Sequence, residues 1–515
     1  MAIADRLDLA LISDPDGDRL LFFDLAHLSW RSSFPLNPGD QPGRWVVHNN
    51  FATVLLRGAG QAITFALGDL SQFTRRNVCP MPRGIAYDRS QHRLLVSCAH
   101  GEVMTLSDGP SGDARLWTRL DSDLRDVVVT PTSVLVSRFR SAEILVLDSH
   151  RGTVTDRFPI STTAEVAWQM IPAEDGALIV HQTTRPLTLK TTAGGYLDNS
   201  YCTLLPPVGG GVQRVKDDQP SDAVNFDVVT LPVSIALSHQ SGEIAVVSAG
   251  GNGVRRISAG ALGFPSSAPA QPVGGPPTAV AVAFDKDDRL ITQTRLPGGI
   301  DVDGHSIAFP GTEPYDLGHA LFHSDAGSGF ACASCHPEGG DDGHVWNFEN
   351  FGPRRTQFLA GGLAGTEPFH WSGDMADFST IAHEVFTTRM GGPELNSAQQ
   401  AAMLDWLDSI PAPPPGQAAN PTLATRGKQV FVAHCSSCHG GTRLGRDLKR
   451  SVDVGTGESL QVPGLIGIGL RAPYLHNGCA ATLTDRFGEC GGGVAHGGIG
   501  VGVDASALVE YLSTL

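Results

Sequence analysis

Short runs of β-branched and aromatic residues recur along residues 1–310, in pairs that flank a turn containing Asp, Ser or Gly. Clear copies begin at Ile85 (IAYDRSQHRLLVSC), Val127 (VVVTPTSVLVSRF), Trp168 (WQMIPAEDGALIVHQ), Ile235 (IALSHQSGEIAVVSA) and Val280 (VAVAFDKDDRLITQ). Fainter copies begin at Trp45 (WVVHNNFATVLL) and Leu7 (LDLALISDPDGDRLLFFD). From Ile85 the steps to Val127, Trp168, Ile235 and Val280 are 42, 41, 67 and 45 residues. Apart from the third, this is the ~40–45-residue period of a blade built from four short strands. A β-sandwich or another all-β array would use the same strands but leaves the period unexplained. Seven copies therefore predict a seven-bladed β-propeller over residues 1–310. The long step contains Leu205–Asp222 (LPPVGGGVQRVKDDQPSD), whose Gly, Pro and Asp content predicts an inserted loop.

After Pro310 the texture changes. Apolar residues now recur at helical spacing in Ala398–Leu407 (AQQAAMLDWL) and Ala505–Leu512 (ASALVEYL). Between them, Pro411-Ala-Pro-Pro-Pro-Gly cannot continue a helix and reads as a stiff linker. The expectation is two mainly α-helical lobes, 311–410 and 421–515, following the propeller.

Composition agrees with several cores in one chain. Its 515 residues are 41% hydrophobic and only 17% charged, enough for about three units of ~150 residues. The net charge of −16 argues against nucleic acid as a partner, since phosphate binding needs a positive surface. No apolar run reaches the ~18–20 residues of a membrane span. The opening Met1-Ala-Ile-Ala-Asp-Arg-Leu lacks the basic and apolar regions of a signal peptide. On that evidence the chain is cytosolic or is given without its export signal.

Each lobe contains one Cys-x-x-Cys-His: Cys332-Ala-Ser-Cys335-His336 and Cys435-Ser-Ser-Cys438-His439. Two thiols one helical turn apart suit thioether bonds to the two vinyl groups of a haem, and the following His suits proximal ligation of its iron. At this chain's Cys and His content chance supplies roughly 0.005 copies of the pattern, so two copies, one per lobe, are a strong signal. A zinc site would pair each Cys-x-x-Cys with a second ligand pair in the same small unit. A redox dithiol expects a βαβ context. Neither arrangement is visible in the sequence.

The flanking residues resemble a known group. Leu317-Gly-His-Ala-Leu-Phe-His-Ser-Asp, Gly352-Pro-Arg-Arg-Thr and Phe369-His-Trp371-Ser-Gly-Asp look like the peroxidatic lobe of bacterial di-haem cytochrome c peroxidases and MauG-type enzymes. Val462-Pro-Gly-Leu, Arg471-Ala-Pro-Tyr-Leu-His476-Asn-Gly and Ala481-Thr-Leu resemble the second lobe. The likeness covers about residues 312–515. It implies two cytochrome c-like lobes and two covalently bound c-type haems, and leaves room for a calcium ion between them. The first haem would reduce hydrogen peroxide, the second would store or relay electrons, and Trp371 would carry charge between them. His344 aligns with a distal His over the peroxidatic haem, either as a sixth iron ligand or as the group moving protons during O–O cleavage. The family's catalytic Glu before Met-Gly is replaced here by Arg389, in Thr388-Arg389-Met390-Gly391, with Glu384 and Glu394 out of register.

For the second haem the family uses Met or Tyr as sixth ligand, and neither occurs in Arg486–Gly497. His496 is the best candidate there. Cys490 is either a thiolate ligand or a disulfide partner of Cys479, and His476 suits a propionate or backbone hydrogen bond. Cys79, Cys98 and Cys202 leave at least one thiol unpaired. Covalent haem with a disulfide implies an oxidising compartment, hence a periplasmic protein whose signal is absent from this sequence. The leading function is a peroxidase fed by a small electron-donor protein. The alternatives are a MauG-like enzyme oxidising Trp or Tyr of a protein substrate docked near the propeller, and a non-enzymatic electron-transfer cytochrome.

Overall fold

The computed structural model describes residues 1–174, 176–185, 188–189, 208–216, 219–226, 229–251, 253–258, 260, 262, 272–273, 276, 278–311, 315–496 and 503–515. It divides into two compact units. One comprises Met1–Thr184 with Val208–Tyr315, the other Arg185–Pro207 with Asp316–Leu515.

The first unit is all β. Its described strands form seven four-stranded antiparallel sheets, each built from consecutive segments of chain. The first strand of every sheet borders the first strand of the next, and Ala2–Ala4 of sheet one returns to Ala279–Phe284 of sheet seven. This is a closed seven-bladed β-propeller. The alternation read from sequence is what closes it. Strand faces such as Leu9, Leu11, Leu20 and Phe22 pack against Val54, Ile63 and Phe65 of the next blade with almost no exposure.

Two local devices recur. Several hairpins are clamped by an Asp at the end of one strand and an Arg at the start of the next: Asp14–Arg19 at 2.6 Å, Asp88–Arg93 at 3.0 Å and Asp285–Arg289 at 2.7 Å. These carboxylates are nearly buried, so the charge-assisted bond fixes the turn. In blades two to seven a bulge interrupts the first strand near its start. A bulge re-aims side chains. Here it lets Arg44 reach Asp126 at 3.1 Å and the Trp168 carbonyl at 2.9 Å, tying blades two, four and five together.

Blades one and seven are joined by side chains, since each sheet is complete in itself. Gln293 donates to the Ser13 carbonyl, Trp30 to the Ala308 carbonyl, and Arg295 pairs with Asp16. A disulfide joins Cys79 to Cys98 inside the apolar layer between blades two and three. Cys202 lies outside the described residues.

Two sequence expectations need correction. The Leu205–Asp222 stretch is not a loop: Val208–Val215 and Pro220–Phe226 are the third and fourth strands of blade five. The Gly run there answers to crowding, because a Cβ at Gly211 would lie 2.7 Å from the His181 imidazole and one at Gly210 3.2 Å from Val229 and Pro232. The excursion is instead residues 185–207, which group with the second unit. Its described part, Thr188–Leu189, runs parallel to Val345–Phe348. The Leu7 copy is also displaced by one strand: it is the second and third strands of blade one, whose first strand is only Ala2–Ala4.

The second unit is turn-rich, with short helices. In its first half the Leu317–His323 helix crosses the Ser397–Ser409 helix, and in its second half the Pro421–His434 helix crosses the Val503–Leu512 helix. Asn396 with Gln399 forms a capping box, and Asn420 caps a helix that has Pro421 in its first turn. Both crossings need a glycine. A Cβ at Gly318 would overlap the Ala402 carbonyl, and one at Gly427 the Ala507 carbonyl. Arginines stitch the halves together: Arg446 donates to the Phe358 and Gly362 carbonyls, Arg443 to Ala364, and Arg354 pairs with Glu458. Among the described residues no helix is long and apolar enough to cross a membrane.

Candidate functional site

Each Cys-x-x-Cys-His motif forms a single helical turn, Cys332–Cys335 and Ser436–His439, downstream of the glycine crossing of its own half. Helical geometry brings the two sulfurs of each motif to one face. Four cysteines of the described chain are paired in the disulfides Cys79–Cys98 and Cys479–Cys490, whereas Cys332, Cys335, Cys435 and Cys438 are in no disulfide. Burial pushes the Cys332 thiol up to about 12 and raises Cys435 as well. A redox dithiol needs the opposite shift, towards thiolate. Among the described residues no three His, Cys, Asp or Glu side chains gather as a metal-holding group, which a zinc site would require.

The motif histidines are enclosed by main-chain carbonyls. Nδ1 of His336 lies 3.2 Å from the Gly340 carbonyl, and the Gln357 carbonyl also lies beside the ring. The Leu444 and Pro463 carbonyls lie beside the His439 ring, whose Nδ1 is buried without a protein acceptor. Burial lowers the pKa of both imidazoles, favouring the neutral form that binds metal.

His496 stands opposite His439. The ring centroids are 6.5 Å apart and the planes inclined by 31°. Metal–nitrogen bonds of about 2 Å on either side of one iron place two imidazole centroids about 6 Å apart. Nδ1 of His496 lies 3.1 Å from the Gly491 carbonyl, so its Nε2 is left for a metal. Burial drives its pKa to about 4. The residues present fit a thioether-held haem with two axial histidines. Cys490 is bonded to Cys479, which removes it as a thiolate ligand.

The first motif has different surroundings. The ring set against His336 is that of Phe322, at 6.5 Å. His344 packs edge-on to Trp346 at 4.3 Å, and its backbone N–H donates to Asp342 at 2.9 Å. Trp346 donates to Asp342 and Thr356, so one buried carboxylate organises the His344 turn. His344 and His336 are thus held by different walls. Arg389 ends the wide helical turn Ala382–Arg389, and its Nε is buried without a protein acceptor. The following Met390 carbonyl accepts from Ser328, on the loop leading to Cys332. Glu394 instead pairs with His383 at the surface, at 2.7 Å.

Trp371 lies at the junction of the two halves. It is 9% exposed, donates from Nε1 to the Arg355 carbonyl at 2.8 Å, and faces the His476 ring at 6.3 Å. Its own carbonyl accepts from Gln461. His476 accepts through its backbone carbonyl from the Arg355 N–H at 2.6 Å, and its Nε2 is 3.6 Å from Glu458.

One group was not assigned from sequence. Arg355 and Arg471 converge on Asp341, with oxygen–nitrogen distances of 2.8 and 3.7 Å and almost no side-chain exposure. Arg355 also donates to the Arg471 carbonyl. Both arginines stand in the family-like stretches Gly352-Pro-Arg-Arg and Arg471-Ala-Pro, and those stretches were the signal that could have found them.

No family model and no curated protein matches the chain. Solved structures with partial likeness include a hydrazine synthase chain from Kuenenia stuttgartiensis, at 14% identity and TM-score 0.48, covering 60% of this chain and 94% of that one. Virginiamycin B lyase from Staphylococcus aureus is similar at 10% identity and TM-score 0.41, covering 57% and 90%. Dihydro-heme d1 dehydrogenase NirN is similar at 13% identity and TM-score 0.39, covering 61% and 75%.

Proposed function

We propose that the chain is a di-haem c-type peroxidase, in which two cytochrome c-like lobes reduce hydrogen peroxide with electrons from a small redox protein. One contrast carries the reading: two attachment motifs whose cysteines are in no disulfide and whose histidines are buried, one beside an imidazole and the other beside an apolar ring. When bound, the haems would supply one-electron redox chemistry and, at the first, a place for peroxide. The net reaction takes two electrons and two protons to turn hydrogen peroxide into two waters.

The residues divide that work. His336 and His439 would hold the two irons beside the attachment thiols, and His496 would add a second nitrogen ligand at the second site. If peroxide is bound at the first site, His344 is the group that would supply a proton and the Arg389 cation the group that would favour the leaving hydroxide. Trp371 is dry and spans the halves through Arg355 and His476, which suits hole transfer between them. Its Nε1–H meets a main-chain carbonyl that cannot take a proton, so charge moves there without proton loss. The propeller serves docking. Two disulfides support an oxidising compartment such as the periplasm.

The test is stopped-flow oxidation of a reduced small cytochrome by peroxide on the haem-loaded full chain. Peroxide-dependent turnover supports the peroxidase. Its absence with every donor, alongside radical formation on a bound protein, would transfer the assignment to a protein-oxidising enzyme.

A further inference from the structure

The His439/His496 site holds one charged side chain that the peroxidase reading leaves unused. Arg486 lies on the short helical turn Asp485–Phe487, inside the loop closed by the Cys479–Cys490 disulfide. One of its terminal nitrogens donates to the His496 carbonyl at 3.0 Å, and the guanidinium stacks 4.3 Å from the Phe487 ring centroid. The other terminal nitrogen is buried with no protein acceptor. Among the described residues no carboxylate pairs with it. The same guanidinium acts electrostatically on Cys435, His439 and His496, the attachment thiol and both candidate imidazoles.

We infer that Arg486 is a positioning residue that sets the reduction potential of the second haem, raising it above what two histidine ligands alone give. The inference rests on the reading of this site as a haem site. Its physics is direct. Reduction adds one electron to the iron and moves no proton, so the site becomes less positive by one unit. A fixed cation nearby favours that change, and partial burial of Arg486 weakens its screening by water and salt. The hydrogen bond to the His496 carbonyl holds the charge at a constant distance from that ligand. The free buried N–H is available to an acidic group of the prosthetic group, and loss of the guanidinium would then leave that acid bare, moving the potential in the same direction. A raised potential lets the second haem accept an electron from a mild donor and keep it until the first site demands it.

The experiment is a spectroelectrochemical titration of the haem-loaded full chain, with wild type, Arg486→Gln and Arg486→Lys compared. Gln keeps a donor for the His496 carbonyl and removes the charge; Lys keeps the charge. The expected result is a downward shift of the second haem's midpoint in Arg486→Gln, a midpoint near wild type in Arg486→Lys, and an unchanged midpoint for the first haem. The low-spin spectrum of two axial imidazoles should persist in both variants. An unmoved midpoint in Arg486→Gln overturns the inference. So does a shift accompanied by loss of the two-imidazole spectrum, because Arg486 would then act by holding the loop and not by its charge. A wild-type chain with no haem on Cys435 and Cys438 contradicts the second-haem reading itself, which is a separate failure.

Discussion

The two halves of the second unit begin alike and end differently. In each, an early helix crosses a late one through a glycine, Gly318 against Ala402 or Gly427 against Ala507, and the Cys-x-x-Cys-His turn follows. In each, carbonyls sit beside the motif imidazole, Gly340 for His336 and Leu444 and Pro463 for His439. Beyond that shared frame, a disulfide-closed loop delivers His496 to His439, whereas His336 meets Phe322. Phenyl cannot ligate a metal and imidazole can. A common frame therefore fixes where a haem would be attached, and the variable far side decides what its iron could do. The difference costs few residues.

The largest effect should come from removing the attachment thiols of one half. Cys435→Ala with Cys438→Ala is expected to lower covalent haem from two per chain to one and to spare the first site, measured by alkaline pyridine haemochrome and mass spectrometry. If the first haem is lost as well, the halves do not mature independently and the comparison fails. Next in size, His344→Ala should slow peroxide turnover by about 10²–10⁴-fold if it moves the proton. Trp371→Phe should slow electron transfer between the haems with both spectra nearly intact. Unchanged rates in both variants would leave the first half without its proposed machinery.

A smaller effect is expected from the loop. Replacing Cys479 and Cys490 by Ala should remove about 2–3 kcal/mol of stabilisation in the chain-entropy account. It should shift the second haem toward mixed spin as His496 loosens, with the first haem unmoved. Denaturant titration and absorption spectra check the two parts separately. A second-haem spectrum indifferent to the change would mean that the loop is held by other contacts.

The smallest effect concerns the propeller and sharpens the contrast with the second unit. Burial lowers His48 and His181 to about 4. Both are neutral in the folded blades, while the unfolded chain takes up protons near pH 6.5. Their contribution is full above about pH 6.5 and is lost as pH falls toward about 4. The propeller's melting temperature should fall through that window, and His48→Asn with His181→Gln should flatten the fall. A profile that the double variant leaves unaltered would assign acid sensitivity to other groups.

How much of this was legible in the sequence depended on whether the signal was local. Period-two alternation exposed the blades, because strand faces are set by neighbouring residues. It misplaced blade one, whose first strand has three residues, too few to show a pattern. It also misread the Gly run at 209–211 as loop, since a strand glycine placed there by the bulk of His181, Val229 and Pro232 looks the same in sequence as a turn glycine. The Cys-x-x-Cys-His motifs were fully visible, being contiguous. His496 was expected as a ligand only through the family resemblance, and its distance from His439 needed the fold. Arg355 and Arg471 stood in the family-like stretches, but their convergence on Asp341, like the Arg486 environment, needed the fold because the partners are far apart in the chain and their meaning lies in burial.

The central claim is that the two attachment sites share a frame but hold chemically different irons, and low-temperature electron paramagnetic resonance of the fully oxidised, haem-loaded chain tests it most directly. The account predicts one low-spin signal of two axial imidazoles that survives Cys332→Ala with Cys335→Ala, and a second, distinct signal that alone changes on adding peroxide. Two matching low-spin signals, neither altered by peroxide, would contradict it and make the chain an electron-transfer cytochrome.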